Sequence, residues 1–106
     1  MPERQPMSEA MYYILLALLH PVHGYGVMQR VRELSGGRLV LGFTSGDTAL
    51  HCYRIREAEG YIRLESAEGR RKVYAITEAG TQALLEEYRR LKTMVQDGNI
   101  LEEELK

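Results

Sequence analysis

At Tyr61 the hydrophobic pattern of this chain changes period, and few folds accommodate such a change. Up to about Glu59 the apolar residues recur mostly at helical spacing, whereas Ile62 and Leu64 alternate with Arg63 and Glu65. Ser66-Ala67-Glu68-Gly69 reads as a turn, and Arg70 to Ile76 alternates again with β-branched and aromatic content, which predicts a two-stranded hairpin. Helical spacing then returns. Thr77 is placed to cap a helix from Glu78 to about Asp97, in which Leu84, Tyr88, Leu91 and Val95 recur at steps of four, three and four. A chain of 106 residues has room for one hydrophobic core, so hairpin and helices must share it.

Three helices are expected before the hairpin. Ser8 offers a hydroxyl to the open amides of a helix running to about His20, where Pro21 stops it. Its apolar residues Met11, Tyr12, Ile14, Leu15, Leu16, Leu18 and Leu19 cover more than one face, which implies contacts on several sides. The turn-rich stretch His20-Pro21-Val22-His23-Gly24-Tyr25-Gly26 leads to Val27, Met28, Val31 and Leu34 on one face of a second helix, closed by Gly36-Gly37. Tyr25, between two glycines, is read as packing beneath the third helix, with the glycines permitting a tight helix start. Arg38 to Gly46 suggests a brief strand or loop, and the third helix is expected from about Asp47 to Glu59, with Gly60 as its stop.

Charge and cysteine usage narrow the class. Fourteen Lys and Arg stand against fifteen Asp and Glu, a net charge of -1 that excludes a strongly basic nucleic-acid binder. The weak positive bias lies between residues 21 and 80, and the last 26 residues are net acidic. The single cysteine, Cys52, excludes an internal disulfide framework and fits a reducing compartment. The longest apolar run, Met11 to Leu19, is far shorter than the ~20 residues of a membrane span, so a soluble cytoplasmic protein is expected. Residues 1–7 read as a loose polar arm.

Three helices followed by a hairpin is the element order of a winged helix-turn-helix domain, in which the third helix enters the DNA major groove and the hairpin grips the flanking backbone. The fold class expected is therefore mainly α with a small β-hairpin. Residues 1–76 would form the DNA-binding domain, and 77–106 a C-terminal dimerisation helix and tail in one compact unit. Four stretches sharpen this: Tyr12-Tyr13-Ile14-Leu15-Leu16-Ala17-Leu18-Leu19, His23-Gly24-Tyr25-Gly26-Val27-Met28, Glu68-Gly69-Arg70-Arg71-Lys72-Val73-Tyr74 and Ile76-Thr77-Glu78-Ala79-Gly80. Together they resemble the PadR family of transcriptional regulators, in its short branch with one C-terminal helix, over about residues 8 to 98. The resemblance implies a homodimeric repressor of double-stranded DNA whose C-terminal helix packs across the dimer. It also implies, in some members, a small apolar effector bound near that interface.

One segment departs from the family pattern. Where the family has Leu-Gly-Pro-Gly-Thr-Leu-Tyr, this chain reads Leu41-Gly42-Phe43-Thr44-Ser45-Gly46-Asp47-Thr48-Ala49-Leu50. Counting back from Gly60 places Thr48 on the family threonine and puts Arg56 at an apolar position. Matching Ala49-Leu50-His51 instead requires inserted residues at Cys52-Tyr53 and near Glu59. The segment is either a true divergence with altered DNA specificity or a local slip of reading frame.

The candidate site residues follow from these placements. Thr44, Ser45, Thr48, His51 and Arg54 lie at or within the first turns of the expected recognition helix, the part that reaches base edges. Arg70, Arg71 and Lys72, just past the hairpin tip, can hold phosphates and so position the protein without reading bases. Leu84, Tyr88, Leu91 and Val95 form a seam too short for an independent coiled coil but sufficient for a dimer contact beside the first helix. Leu15, Leu18, Tyr88 and Val95 would line an apolar pocket there. His20, His23, His51 and Cys52 have no zinc-site spacing, so no metal or cofactor is expected. Catalytic signatures are likewise missing: the sequence holds no phosphate-binding loop, no His-Glu-x-x-His and no serine-nucleophile elbow, and no enzyme is expected. A rival reading is a ligand- or protein-interaction module of the same fold that has lost sequence-specific DNA binding through its irregular third helix.

Overall fold

The computed structural model describes residues 6–40, 60–68 and 71–105, with backbone alone at Ala67, Glu68 and Arg71. The elements in chain order are α1 (Glu9–Ala17), β1 (Val22–His23), α2 (Gly24–Leu34), β2 (Ile62–Glu68), β3 (Arg71–Ile76), α3 (Glu78–Asp97) and α4 (Ile100–Glu104). The helix expected at Asp47–Glu59 lies outside the described residues, as does most of the stretch from Arg38 to Gly46.

Each of the three longer helices has a side-chain cap at its start. The Ser8 hydroxyl accepts the N–H of Met11 at 3.1 Å, His23 Nδ1 accepts that of Gly26 at 3.0 Å, and Thr77 Oγ1 accepts that of Gly80 at 3.0 Å. α1 ends three residues before the expected His20, and its carboxyl end is satisfied from elsewhere in the fold. Arg30 of α2 donates from Nη1 to the carbonyls of Ala17 at 2.9 Å and His20 at 2.7 Å, while the N–H of Ile76 reaches the Leu18 carbonyl at 3.1 Å. These bonds take carbonyls that further helical turns would have used, and Pro21 disfavours helical geometry just before it.

The sheet has three strands rather than two, in the order β1-β3-β2 and antiparallel throughout. Val22 pairs with Tyr74 and His23 with Val73, an addition the sequence hides because two residues cannot show alternation. The expected turn at Ser66-Ala67-Glu68 is strand instead. β2 continues to Glu68, opposite Arg71, after a bulge between Leu64 and Ser66 admits one extra residue. Ladder hydrogen bonds to β3 outweigh the turn preference of small polar side chains.

The core is built from α1, with Met11, Ile14, Leu15, Ala17 and Leu18 buried against Val27 and Val31 of α2, Ile62 of β2 and Leu84 of α3. On α2 the expected face divides: Val27 and Val31 are fully buried, Met28 is half-buried and Leu34 is exposed. Tyr25, read as packing beneath the third helix that lies outside the described residues, points away from the described core. It is 63% exposed, because two residues of helix rotate it about 200° away from the inward Val27. Gly26 does act as a close-approach glycine, since a Cβ there would lie 2.5 Å from Val22 Cγ2.

α3 is the longest element at 20 residues, about 30 Å. Its buried residues are Gly80, Ala83, Leu84 and Glu87, all in the amino-terminal half. The remainder leaves the body, and the chain is accordingly elongated, 57 × 35 × 22 Å with a radius of gyration of 15.7 Å. A compact domain of this size has about 13 Å. The Asn99 to Lys106 stretch contains the helix α4, carrying Glu102, Glu103 and Glu104.

Candidate nucleic-acid interface

The wing is the β2–β3 pair. Lys72 is exposed on β3, one residue from Val73 and opposite Ala67 of β2. Because His23 pairs with Val73, β3 also brings Lys72 to the strand that leads directly into α2, whose first residues include the exposed Tyr25. This joining of wing and α2 was missed in the sequence for the same reason that β1 was. The amino end of α2 carries the positive pole of the helix dipole, so the edge combines an ammonium with a favourable field for anions. Arg63, on β2, pairs with Glu65 at 3.5 Å across exposed strand surface. Thr44, Ser45, Thr48, His51, Arg54 and Arg70 lie outside the described residues, as does the side chain of Arg71. Of the candidate interface, the scaffold and Lys72 lie within the described residues.

A paired arginine lies near the amino end of α1. Arg38 pairs with Glu9, donates from Nη2 to the Tyr13 hydroxyl at 3.0 Å and stands 5.6 Å from the Tyr13 ring centroid. Its partners Glu9 and Tyr13 hold the guanidinium protonated more firmly than usual.

The helix seam divides between core and surface. Leu84 is 5% exposed, and Leu15 and Leu18 are fully buried, so these three belong to the chain's own core. Tyr88 is 49% exposed, Val95 is 70% exposed and Leu91 is half-buried. The pocket sketched from Leu15, Leu18, Tyr88 and Val95 therefore joins two core residues to two surface ones. Sequence spacing did not indicate the further exposed apolar residues Met94, Ile100, Leu101 and Leu105 beyond the body. Tyr12 of α1 lies near Tyr88, and burial pushes its phenol up, with Tyr88, Tyr13 and Glu87 adding to the shift.

Among the described residues no group of three or more His, Cys, Asp or Glu is arranged to hold a metal ion. A shallow cleft of about 270 Å³ between α1 and α2 is lined by Leu16, Ala17, His20, Arg30, Glu33 and Leu34, but Arg30 already bonds two carbonyls there.

Helices and an antiparallel three-stranded sheet in this order, with a hairpin wing and a projecting C-terminal helix, define a winged-helix protein. The sequence profile of the transcriptional regulator PadR-like family matches residues 14–86, and the chain belongs to that family. No curated protein matches the sequence. Solved structures of the same fold include a transcriptional regulator from Clostridium thermocellum, 20% identical with a TM-score of 0.68, covering 86% of this chain and 89% of its own. A PadR family transcriptional regulator from Eggerthella lenta is 22% identical with a TM-score of 0.65, covering 85% of this chain and 74% of its own. Bacillus subtilis PadR, solved in complex with operator DNA, is 23% identical with a TM-score of 0.62, and the match spans 76% of this chain and 47% of that one. Family and fold are those of transcriptional regulators, and no described helix is long and apolar enough to cross a membrane.

Proposed function

We propose that this chain is a cytoplasmic, homodimeric, DNA-binding repressor whose dimer can be released from its operator by a small apolar effector. The observation that carries the DNA-binding part is the winged-helix scaffold with Lys72 exposed on the wing, on a fold shared with a PadR bound to operator DNA. Thr44, Ser45, Thr48, His51 and Arg54 are assigned to base edges, and Arg70, Arg71 and Lys72 to phosphates. The dimer reading is supported by the half of α3 that leaves the body with Tyr88, Met94 and Val95 uncovered. An isolated surface helix rarely displays such a stripe without a partner. Residues 1–76 serve as the DNA-binding domain and 77–106 as the dimerisation segment, and an effector seated beside Tyr12 and Tyr88 would shift the dimer away from its DNA-bound arrangement.

The test is fluorescence anisotropy on the DNA upstream of the protein's own gene and on a scrambled duplex, from about 50 to 200 mM salt. Saturable binding that is tighter on the upstream duplex and weakens with salt is expected. Replacing Arg70, Arg71 and Lys72 by Ala should weaken binding to all sequences alike and flatten the salt slope by about one for each phosphate no longer neutralised. Equal weak binding, or none, by a folded dimer would instead support an interaction module of the same fold.

A further inference from the structure

Glu87 is buried, only 5% exposed, and a buried carboxylate is costly unless its oxygens are matched. Both are matched here. Oε1 accepts from Arg90 Nε at 2.6 Å, and Oε2 accepts from Arg90 Nη2 at 2.9 Å and from the backbone N–H of Met7 at 2.9 Å. Arg90 also donates from Nη1 to Met94 Sδ at 2.9 Å, one turn further along α3. The Met7 bond joins residues 80 positions apart and lies immediately before Ser8, the cap of α1.

The position of this cluster is as informative as its bonds. Glu87 is the last buried residue of α3, the point at which the helix leaves the body. The amino end of the same helix is held at a second point, where the Thr77 N–H donates to the Tyr61 carbonyl at 3.0 Å and Gly80 lies close against that carbonyl. Two fixed points on a stiff helix define a direction. Apolar contacts between α1 and α3 are non-directional, whereas hydrogen bonds weaken steeply as their angles depart from linear.

We propose that Glu87 is a positioning residue for DNA recognition: by fixing the direction in which α3 leaves the winged-helix body, it sets the half-site spacing that the dimer reads. The proposal rests on the dimeric DNA-binding reading above. From Glu87 to Asp97 the helix rises about 15 Å, so a tilt of about 15° at Glu87 moves its far end by about 4 Å. That exceeds the roughly 3.4 Å rise of one base pair, in a dimer whose half-sites are expected about one helical turn apart. Arg90, partly exposed, makes the carboxylate tolerable in the core, and Met7 carries the constraint to α1.

The experiment measures binding of the full chain to its upstream operator and to duplexes with one or two base pairs inserted or deleted between the half-sites. The wild type should lose about tenfold or more in affinity at altered spacing, the order expected for a misplaced half-site. E87M, close in volume but unable to accept from Met7, should bind the natural and altered spacings within about threefold of one another, about 0.6 kcal/mol. A folded, dimeric E87M that keeps the wild-type spacing preference, or weakens equally at every spacing, overturns the proposal and leaves Glu87 a stability residue. If E87M does not fold, Met7→Pro removes the N–H that ties Glu87 to α1, leaves the Arg90 pair in place and is read in the same way. A wild type that binds all spacings equally overturns the proposal while leaving DNA binding intact. One that binds no upstream duplex overturns the functional reading beneath it.

Discussion

Replacing Gly80 by Ala ought to stabilise α3 if only the helix itself mattered, because Ala exceeds Gly by about 1 kcal/mol in a helix interior. The surroundings reverse the sign. A Cβ at Gly80 would lie 2.3 Å from the Tyr61 carbonyl oxygen, 2.8 Å from Ile76 Cγ1 and 3.0 Å from the Tyr61 carbonyl carbon. The nearest of these is backbone, so relief requires α3 to move off the sheet rather than a side chain to rotate. That movement strains the N–H···O bond from Thr77 to Tyr61, at 3.0 Å, which contributes about 1 kcal/mol. Overpacking of this kind costs about 1–3 kcal/mol, and the propensity gain offsets part of it. The expected outcome is a net loss of about 0.5–2 kcal/mol and a fall in Tm of roughly 3–12 °C by thermal circular dichroism. Gly24→Ala is the control, since its Cβ would meet nothing closer than Tyr74 Cε2 at 3.9 Å, and it should be neutral or stabilising. A G80A protein as stable as the wild type would refute the account of α3 seated on the Tyr61 carbonyl.

Three further outcomes are expected. The hydrogen bonds from Arg90 hold the Glu87 carboxyl below the usual carboxylate range, with the Met7 N–H and the guanidinium charge acting the same way and burial opposing them. The stability this supplies is therefore complete above the unfolded value near 4.3 and is lost as pH falls through the lower folded value. Tyr12, the other titratable group facing it, stays protonated in that range because its own pKa is raised. Urea titrations should show E87Q weaker than wild type by about 1–3 kcal/mol near neutrality, with the gap closing below about pH 4; a constant gap contradicts the assignment. Arg30→Met removes the Nη1 hydrogen bonds to the Ala17 and His20 carbonyls and should lower the urea midpoint by the equivalent of about 1–2 kcal/mol without changing m. Val95→Glu, on an exposed face, should leave the monomer's fold intact and weaken self-association by more than about tenfold in sedimentation equilibrium; an undiminished dimer would place the interface elsewhere.

The sequence made most of the framework legible. Ser8 and Thr77 marked helix starts because a hydroxyl before an apolar run has one efficient use, and the alternation around Ile62 and Leu64 marked the wing. β1 stayed hidden, since two residues between Pro21 and Gly24 carry no period and are ordered by Val73 and Tyr74 from far along the chain. The α1 boundary was overrun for a related reason: Arg30 and Ile76, neither local in sequence, take the last carbonyls. At the candidate site, spacing placed Leu84, Tyr88, Leu91 and Val95 on one stripe but could not say where along it the body ends. That point is Glu87, which looks in sequence like any other acidic residue of a solvated helix. Its burial depends on Met7 and Arg90 meeting it in space.

The pairing of the chain's beginning with its end has a consequence for synthesis. α1 leaves the ribosome early, yet the bonds that complete it come from Ile76 and Glu87, and part of its apolar cover from Leu84. At ~5–20 residues per second, roughly 4–14 s separate the appearance of Leu18 from that of Glu87. Through that interval Ile14, Leu15 and Leu18 lack the cover that Leu84 of α3 supplies. The nascent chain is therefore most exposed to chaperone capture and aggregation while its most apolar helix waits for the last third of the sequence.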